Sequence, residues 1–137
     1  ADIDGVTPTA VEEIVRMASP VTHFRRTVTT DGVRLGDHKF AAGDKVVLWY
    51  NSANRDEAVF DDPDRFDVTR DPNPHVGFGG PGPHFCLGAH LARREVGVML
   101  RHLLTRLPDI RSTAEPDLLR TNFVNGIKHL PCAWTPA

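Results

Sequence analysis

The sequence has 137 residues, of which 40% are apolar and 25% charged, an average globular composition that excludes a chain disordered throughout. With 16 basic against 18 acidic residues the net charge is −2, which argues against a general nucleic-acid binder. No run of about 18 apolar residues exists, so a membrane-spanning helix is excluded. The opening Ala1-Asp2-Ile3-Asp4 is acidic, with no apolar stretch behind it. No signal peptide is expected, and two cysteines, Cys86 and Cys132, fit a reducing cytoplasm.

The first predicted element is a helix. Thr9-Ala10-Val11-Glu12 fits a capping box behind Pro8, and Val11, Ile14, Val15 and Ala18 repeat at helical spacing. Pro20 ends it. Residues 22–30, rich in Thr and Val, predict extended chain. Gly32, Gly36 and Gly43 punctuate short strands, and Val46-Val47-Leu48-Trp49-Tyr50 is the strongest of them. Residues 51–60 predict a short helix capped by Asn51 or Ser52. Between 61 and 85, five prolines argue against long regular elements. A long helix is expected from Leu87 to Leu107, with Leu91, Val96, Leu100, Leu103, Leu104 and Leu107 as its buried stripe. Asn125-Gly126, between Phe123-Val124 and Ile127-Lys128, predicts a hairpin turn.

The chemistry concentrates in Phe78-Gly79-Gly80-Pro81-Gly82-Pro83-His84-Phe85-Cys86-Leu87-Gly88. Cys86 stands at the start of the long helix, where free N–H groups and the helix dipole favour a thiolate. His84 adds positive charge or a hydrogen bond. The glycines let the backbone bend tightly and approach a flat ligand, and Gly88 removes a side chain that would collide with one. Such a thiolate serves as a nucleophile or a metal ligand. A lone cysteine reads as a small buried hydrophobe; Gly, Pro and His in this arrangement favour chemistry. Cys132, in Leu130-Pro131-Cys132-Ala133-Trp134, reads as core.

This segment resembles the haem-ligand signature of the cytochrome P450 family, Phe-x-x-Gly-x-(Arg or His)-x-Cys-x-Gly. Gly82, His84, Cys86 and Gly88 match it position by position, and Phe78 stands one residue further upstream, as in a subgroup of bacterial members. Glu13-Ile14-Val15-Arg16 is similar to the family's Glu-x-x-Arg helix, and Pro63-Asp64-Arg65-Phe66 to its meander motif. Three motifs in the family's order make coincidence improbable. The resemblance implies an α+β fold, the C-terminal part of the cytochrome P450 fold: mainly helical, with small β-sheets, a long meander and a Cys-ligand loop. It covers nearly the whole chain and corresponds to the C-terminal third of a member. The family's oxygen-activating helix lies upstream of its Glu-x-x-Arg helix. Residues 1–137 are therefore expected to be the C-terminal haem-binding portion of such a domain, inactive in isolation.

The resemblance further implies haem b with Cys86 on its iron, packed by Phe78, Gly79, Gly82 and Gly88. Arg26, with Arg25 as the near alternative, and His84 are the implied propionate partners. Glu13, Arg16 and Arg65 form the implied structural cluster behind the haem. The implied reaction is insertion of one oxygen atom from O2 into an unactivated C–H bond, with electrons from a ferredoxin docking at Arg93, Arg94 and Arg101. Implied substrate contacts are Val21, Phe24, Phe123 and Val124. Residues 52–56 and 125–129 look most like actinobacterial members acting on steroids or methyl-branched lipids. Two other readings compete: a zinc module using His84, Cys86 and His90 with His75 nearby, and a non-catalytic interaction fragment. No Cys-x-x-Cys supports the former.

Overall fold

A helix, α1 (Ile3–Ala18), opens the chain in the computed structural model, which describes residues 3–135. Ala1 and Asp2 of the acidic opening lie outside the described residues. The capping box expected at Thr9 does not start this helix, which already runs through Pro8. The Thr9 hydroxyl instead approaches the carbonyls of Val6 at 3.0 Å and Val68 at 2.6 Å, so it ties the helix to a distant loop. The buried face carries Thr7, Ala10, Val11, Glu13, Val15 and Arg16, while Ala18 is exposed. Ser19 follows the helix with a left-handed φ of 37°, a conformation costing roughly 1–2 kcal/mol. Two bonds offset it: Ser19 donates its N–H to the Val15 carbonyl at 3.0 Å and its hydroxyl to the Arg16 carbonyl at 2.8 Å.

Strands β1 (His23–Thr27), β2 (Arg34–Leu35), β3 (His38–Lys39) and β4 (Lys45–Trp49) come next. β2 and β3 pair as a short hairpin, and β1 pairs antiparallel with β4, Phe24 opposite Leu48 and Arg26 opposite Val46. The apolar run 46–50 is strand through Trp49, and Tyr50 begins α2 (Tyr50–Ala53). Neither Asn51 nor Ser52 caps α2; Trp49 does, without a side-chain bond. The strand runs straight into the helix, because the Tyr50 N–H is still engaged by the Thr22 carbonyl at 2.9 Å.

No helix or strand occurs from 54 to 88: the prolines predict this for 61–85, whereas the helix expected over 51–60 stops at Ala53. α3 (Ala89–Arg106) begins two residues later than expected, with Gly88 at its N-cap and Leu87 fully exposed. It crosses α1 at Gly97, where an added Cβ would stand 3.5 Å from Thr7 Cγ2 and 3.6 Å from Val11 Cγ2. The expected stripe is only partly covered. Val96, Leu100, Leu103 and Leu107 are half-buried, and Leu91 and Leu104 are exposed. One helix cannot cover both sides of another. The total surface is 10023 Å², whereas a compact monomer of 15.1 kDa exposes about 7,100 Å².

The chain closes with β5 (Arg111–Ser112), β6 (Asp117–Leu118), β7 (Ile127–His129) and β8 (Cys132–Ala133). β5 pairs with β8, and β6 with β7. Asn125-Gly126 is therefore not a tight hairpin turn between its flanking segments. Val124 bridges Val21, and Asn125 donates its N–H to the Pro20 carbonyl at 2.8 Å and its amide to the Ala18 carbonyl at 2.9 Å. These bonds draw the segment onto the end of α1. Cys132 is half-buried at a sheet edge, not in a deep core.

Apolar burial is confined to Ala10, Val11, Val15, Phe60 and Ala89 among the described residues, and the largest fully buried side chains are Arg16, Glu13, Asn54 and Ser19. Around this polar centre packing is tight. A Cβ on Gly77 would meet Val15 Cγ1 at 2.7 Å and His75 Nδ1 at 3.2 Å. Gly77→Ala should therefore destabilise the protein by about 1–3 kcal/mol through overpacking, measured by urea unfolding; an unchanged midpoint would show that Val15 yields without cost.

Candidate functional site

The site is built outward from α1. Arg16 donates Nε to Glu13 Oε2 at 2.7 Å and Nη2 to Oε1 at 2.8 Å, and both side chains are 0% exposed. Three residues apart on a helix, they share a face. Arg16 also donates to the carbonyls of Asn54 (2.8 Å), Pro63 (2.6 Å) and Arg65 (3.1 Å). Glu13 further accepts the Asp67 N–H and the Asn73 amide, each at 2.9 Å. Arg65 joins this cluster through its main-chain carbonyl. The second guanidinium at Glu13 is that of Arg70, 3.3 Å away, and no motif had pointed to it. Burial alone raises the Glu13 carboxyl; the bonds from Arg16, Asp67 and Asn73 outweigh it and bring the pKa down to about 2 from an ordinary 4.5.

Asn54 carries the brace onward. Its Nδ2 donates to Ser19 Oγ and its Oδ1 accepts the Val76 N–H, each at 2.8 Å. A buried Asn in a polar stretch carries no sequence mark, so this residue escaped the motif analysis. From Val76 the loop closes on itself: Gly79 N–H on the Val76 carbonyl at 2.8 Å, Phe85 N–H on Gly82 at 3.1 Å, and Cys86 N–H on Phe78 at 2.9 Å. Gly79 and Gly82 take φ of 87° and 132°, which other residues adopt only with strain. Cys86 precedes the N-cap of α3, and its carbonyl accepts the Ala89 N–H at 3.2 Å.

The Cys86 thiol is free and exposed. Residues 80–88 are all exposed. A Cβ added at Gly80 or Gly82 would meet nothing within 4 Å, and one at Gly88 would come within 3.9 Å of Cys86 Sγ. The loop thus presents one sulfur on an open, glycine-bordered face, flanked by Phe85 (43% exposed) and Leu87 (100%). A soft thiolate donor beside apolar surface and free space suits a flat, largely apolar iron macrocycle. Arg93 Cζ stands 4.4 Å from the Phe78 ring centroid.

The other expected residues are placed as follows. His84 is exposed. Arg26 is half-buried, donating to the Arg25 carbonyl at 3.1 Å with its guanidinium 5.2 Å from the Phe24 ring. Val21, Phe24, Phe123 and Val124 come together across about a hundred residues: Val21 bridges Val124, and the Phe24 and Phe123 rings meet edge to face at 5.6 Å. His23 packs 4.8 Å from Trp49 and 5.9 Å from Phe123. Of the three arginines implied as a docking patch, Arg93 is bound to Glu12 at 2.6 Å and Arg101 to Asp4 at 2.9 Å; Arg94 is exposed. Among the described residues no three His, Cys, Asp or Glu side chains converge as a metal site, and no helix is long and apolar enough to cross a membrane.

A sequence model of the cytochrome P450 family matches residues 6–128. The methyl-branched lipid omega-hydroxylase of Mycobacterium tuberculosis is 58% identical over 135 residues, covering 98% of this chain and 31% of that protein. The steroid C26-monooxygenase of Mycolicibacterium smegmatis is 46% identical over 129 residues, covering 94% and 30%. A Mycobacterium marinum cytochrome P450 solved with pseudoionone superposes with a TM-score of 0.93 at 51% identity, covering 98% of this chain and 32% of that one. The chain thus spans about a third of the length of the relatives it matches. It belongs to the cytochrome P450 family, whose members carry haem b.

Proposed function

We propose that residues 1–137 are the haem-binding portion of a cytochrome P450 monooxygenase, with Cys86 as the thiolate that would hold the haem iron. The observation that carries this reading is the free Cys86 sulfur on the open glycine-bordered face. When bound, thiolate-ligated haem would supply O2 activation, in which one oxygen atom would enter a C–H bond and the other would leave as water with two electrons and two protons. This chain's residues do the holding. Cys86 provides the sulfur, Gly79 and Gly82 the bend, and Gly88 the clearance; Phe78 supports the loop, and Arg26 and His84 offer cationic or hydrogen-bonding groups to the propionates.

Val21, Phe24, Phe123 and Val124 form an apolar wall that suits a hydrophobic substrate. The similar methyl-branched lipid and steroid hydroxylases support a branched lipid or steroid. Electrons would come from a ferredoxin-type donor. Of the three implied docking arginines, Arg94 is then the one available to it, since Arg93 and Arg101 are paired within the chain. A cytoplasmic location belongs to the same reading, in keeping with two free cysteines. The uncovered α3 stripe and Cys86 face support catalysis in a larger assembly that covers them, and these residues alone should not turn over.

The test is a spectrum. Full-length protein loaded with haem, reduced and treated with CO, should show the red-shifted Soret band of thiolate ligation and, with a ferredoxin system, add one hydroxyl to a steroid or methyl-branched fatty acid. Bound zinc without haem uptake would replace this reading with a zinc module, and binding of neither would leave an interaction fragment.

A further inference from the structure

A second polar network links α1 to the Cys86 loop, separate from the Glu13–Arg16 cluster. The His75 side chain is 2% exposed. Its Nδ1 accepts the Gly77 N–H at 3.0 Å, which assigns the ring proton to Nε2. Nε2 then donates to Glu12 Oε2 at 2.9 Å. The same carboxylate takes a bidentate pair from Arg93, Nε to Oε1 at 2.6 Å and Nη2 to Oε2 at 2.9 Å. His75 and Arg93 both pack on Phe78: the His75 ring lies 5.8 Å from its centroid and the Arg93 guanidinium 4.4 Å. The Phe78 carbonyl in turn accepts the Cys86 N–H.

One carboxylate on α1 therefore holds the residue that begins the loop and a residue on the helix that follows it. Burial alone pushes the Glu12 carboxyl up, and the bonds from Arg93 and His75 bring it below its ordinary value. Arg93 is held above its own by Glu12, burial opposing, with a further contribution from Cys86. The network is thus charged, partly desolvated and in contact with the Phe78 ring, whose residue accepts the Cys86 N–H.

We propose that Glu12, His75 and Arg93 are positioning residues that act through Phe78 to hold the Cys86 main chain, and with it the sulfur, in the place that keeps thiolate ligation. This rests on the reading of Cys86 as the haem ligand. A simple fold clip would lower stability alone; a positioning strap also changes which ligand the iron keeps.

The experiment uses the full-length haem protein. His75→Phe keeps the ring volume and loses both hydrogen bonds. His75→Gln retains an amide donor toward Glu12. Glu12→Gln removes the charge, and Arg93→Lys keeps charge while losing the bidentate fork. Haem content, melting temperature and the red-shifted fraction of the reduced CO form are followed over time. His75→Phe and Glu12→Gln should retain haem yet lose the red-shifted form about tenfold faster than wild type, the scale of a lost charge-assisted bond, with His75→Gln recovering most of the difference. Arg93→Lys gives the same readout should the first two not fold, with an intermediate rate expected. Unchanged loss rates with a lowered melting temperature would overturn the strap alone, as would His75→Gln behaving like His75→Phe. A wild-type protein lacking the red-shifted form would instead overturn the assignment of Cys86 and the strap together.

Discussion

Arg16→Met should destabilise the protein by about 3–5 kcal/mol, the range for removing one partner of a buried ion pair. Methionine fills much of the aliphatic volume but donates nothing. Glu13, 0% exposed, would keep only Arg70 at 3.3 Å as a cation, and the carbonyls of Asn54, Pro63 and Arg65 would lose their guanidinium donors. A loss of that size is a large share of a typical folding free energy of 5–15 kcal/mol. Denaturant unfolding of wild type and variant checks it; a change below about 1 kcal/mol would mean that water or Arg70 replaces Arg16. The same cluster sets an acid limb. The Glu13 carboxyl is depressed from 4.5 to about 2, so its contribution is complete above about pH 5 and is lost as the pH falls toward about 2. In Arg16→Met that limb should become shallower.

Cys86→Ser should abolish the red-shifted CO band and lower hydroxylation at least about a hundredfold, the upper end of what losing even a supporting group around a metal costs. The substitution changes one atom. Cys86 is exposed, its main chain is held through Phe78 and Ala89, and Gly88 keeps its clearance, so the loop itself should persist and stability should change by less than about 0.5 kcal/mol. Retained haem with a band shifted to the blue, at unchanged unfolding midpoint, separates loss of the ligand from loss of the fold. A variant that kept the red-shifted band would move the ligand elsewhere, with Cys132, half-buried beside β5, as the remaining thiol.

Local patterns were legible wherever a residue acts on its near neighbours. The helical spacing around Val11 and Val15, the proline-rich stretch without regular structure, the pairing of Glu13 with Arg16 and the glycine bend before Cys86 all follow from residues a few positions apart. Helix starts were less legible. Thr9 has the chemistry of a cap, but Val68 claims its hydroxyl; Asn51 and Ser52 have it too, but the sheet bond at Tyr50 fixes where α2 begins. Asn125-Gly126 has turn chemistry, yet its bonds to Pro20 and Ala18 outweigh the local preference.

From the amino acids alone came the family resemblance, the cysteine and the cofactor it implies, because a short signature and two supporting motifs are linear features. Folding in three dimensions assigned the partners: Arg70 rather than the Arg65 side chain beside Glu13, Asn54 beneath Val76, and Glu12 between His75 and Arg93. Those choices depend on which carbonyls and carboxylates meet across 20 to 80 residues. Desolvation makes each such meeting obligatory, since a buried polar group must find a partner wherever the chain brings one, and no local pattern in the sequence records which it will be.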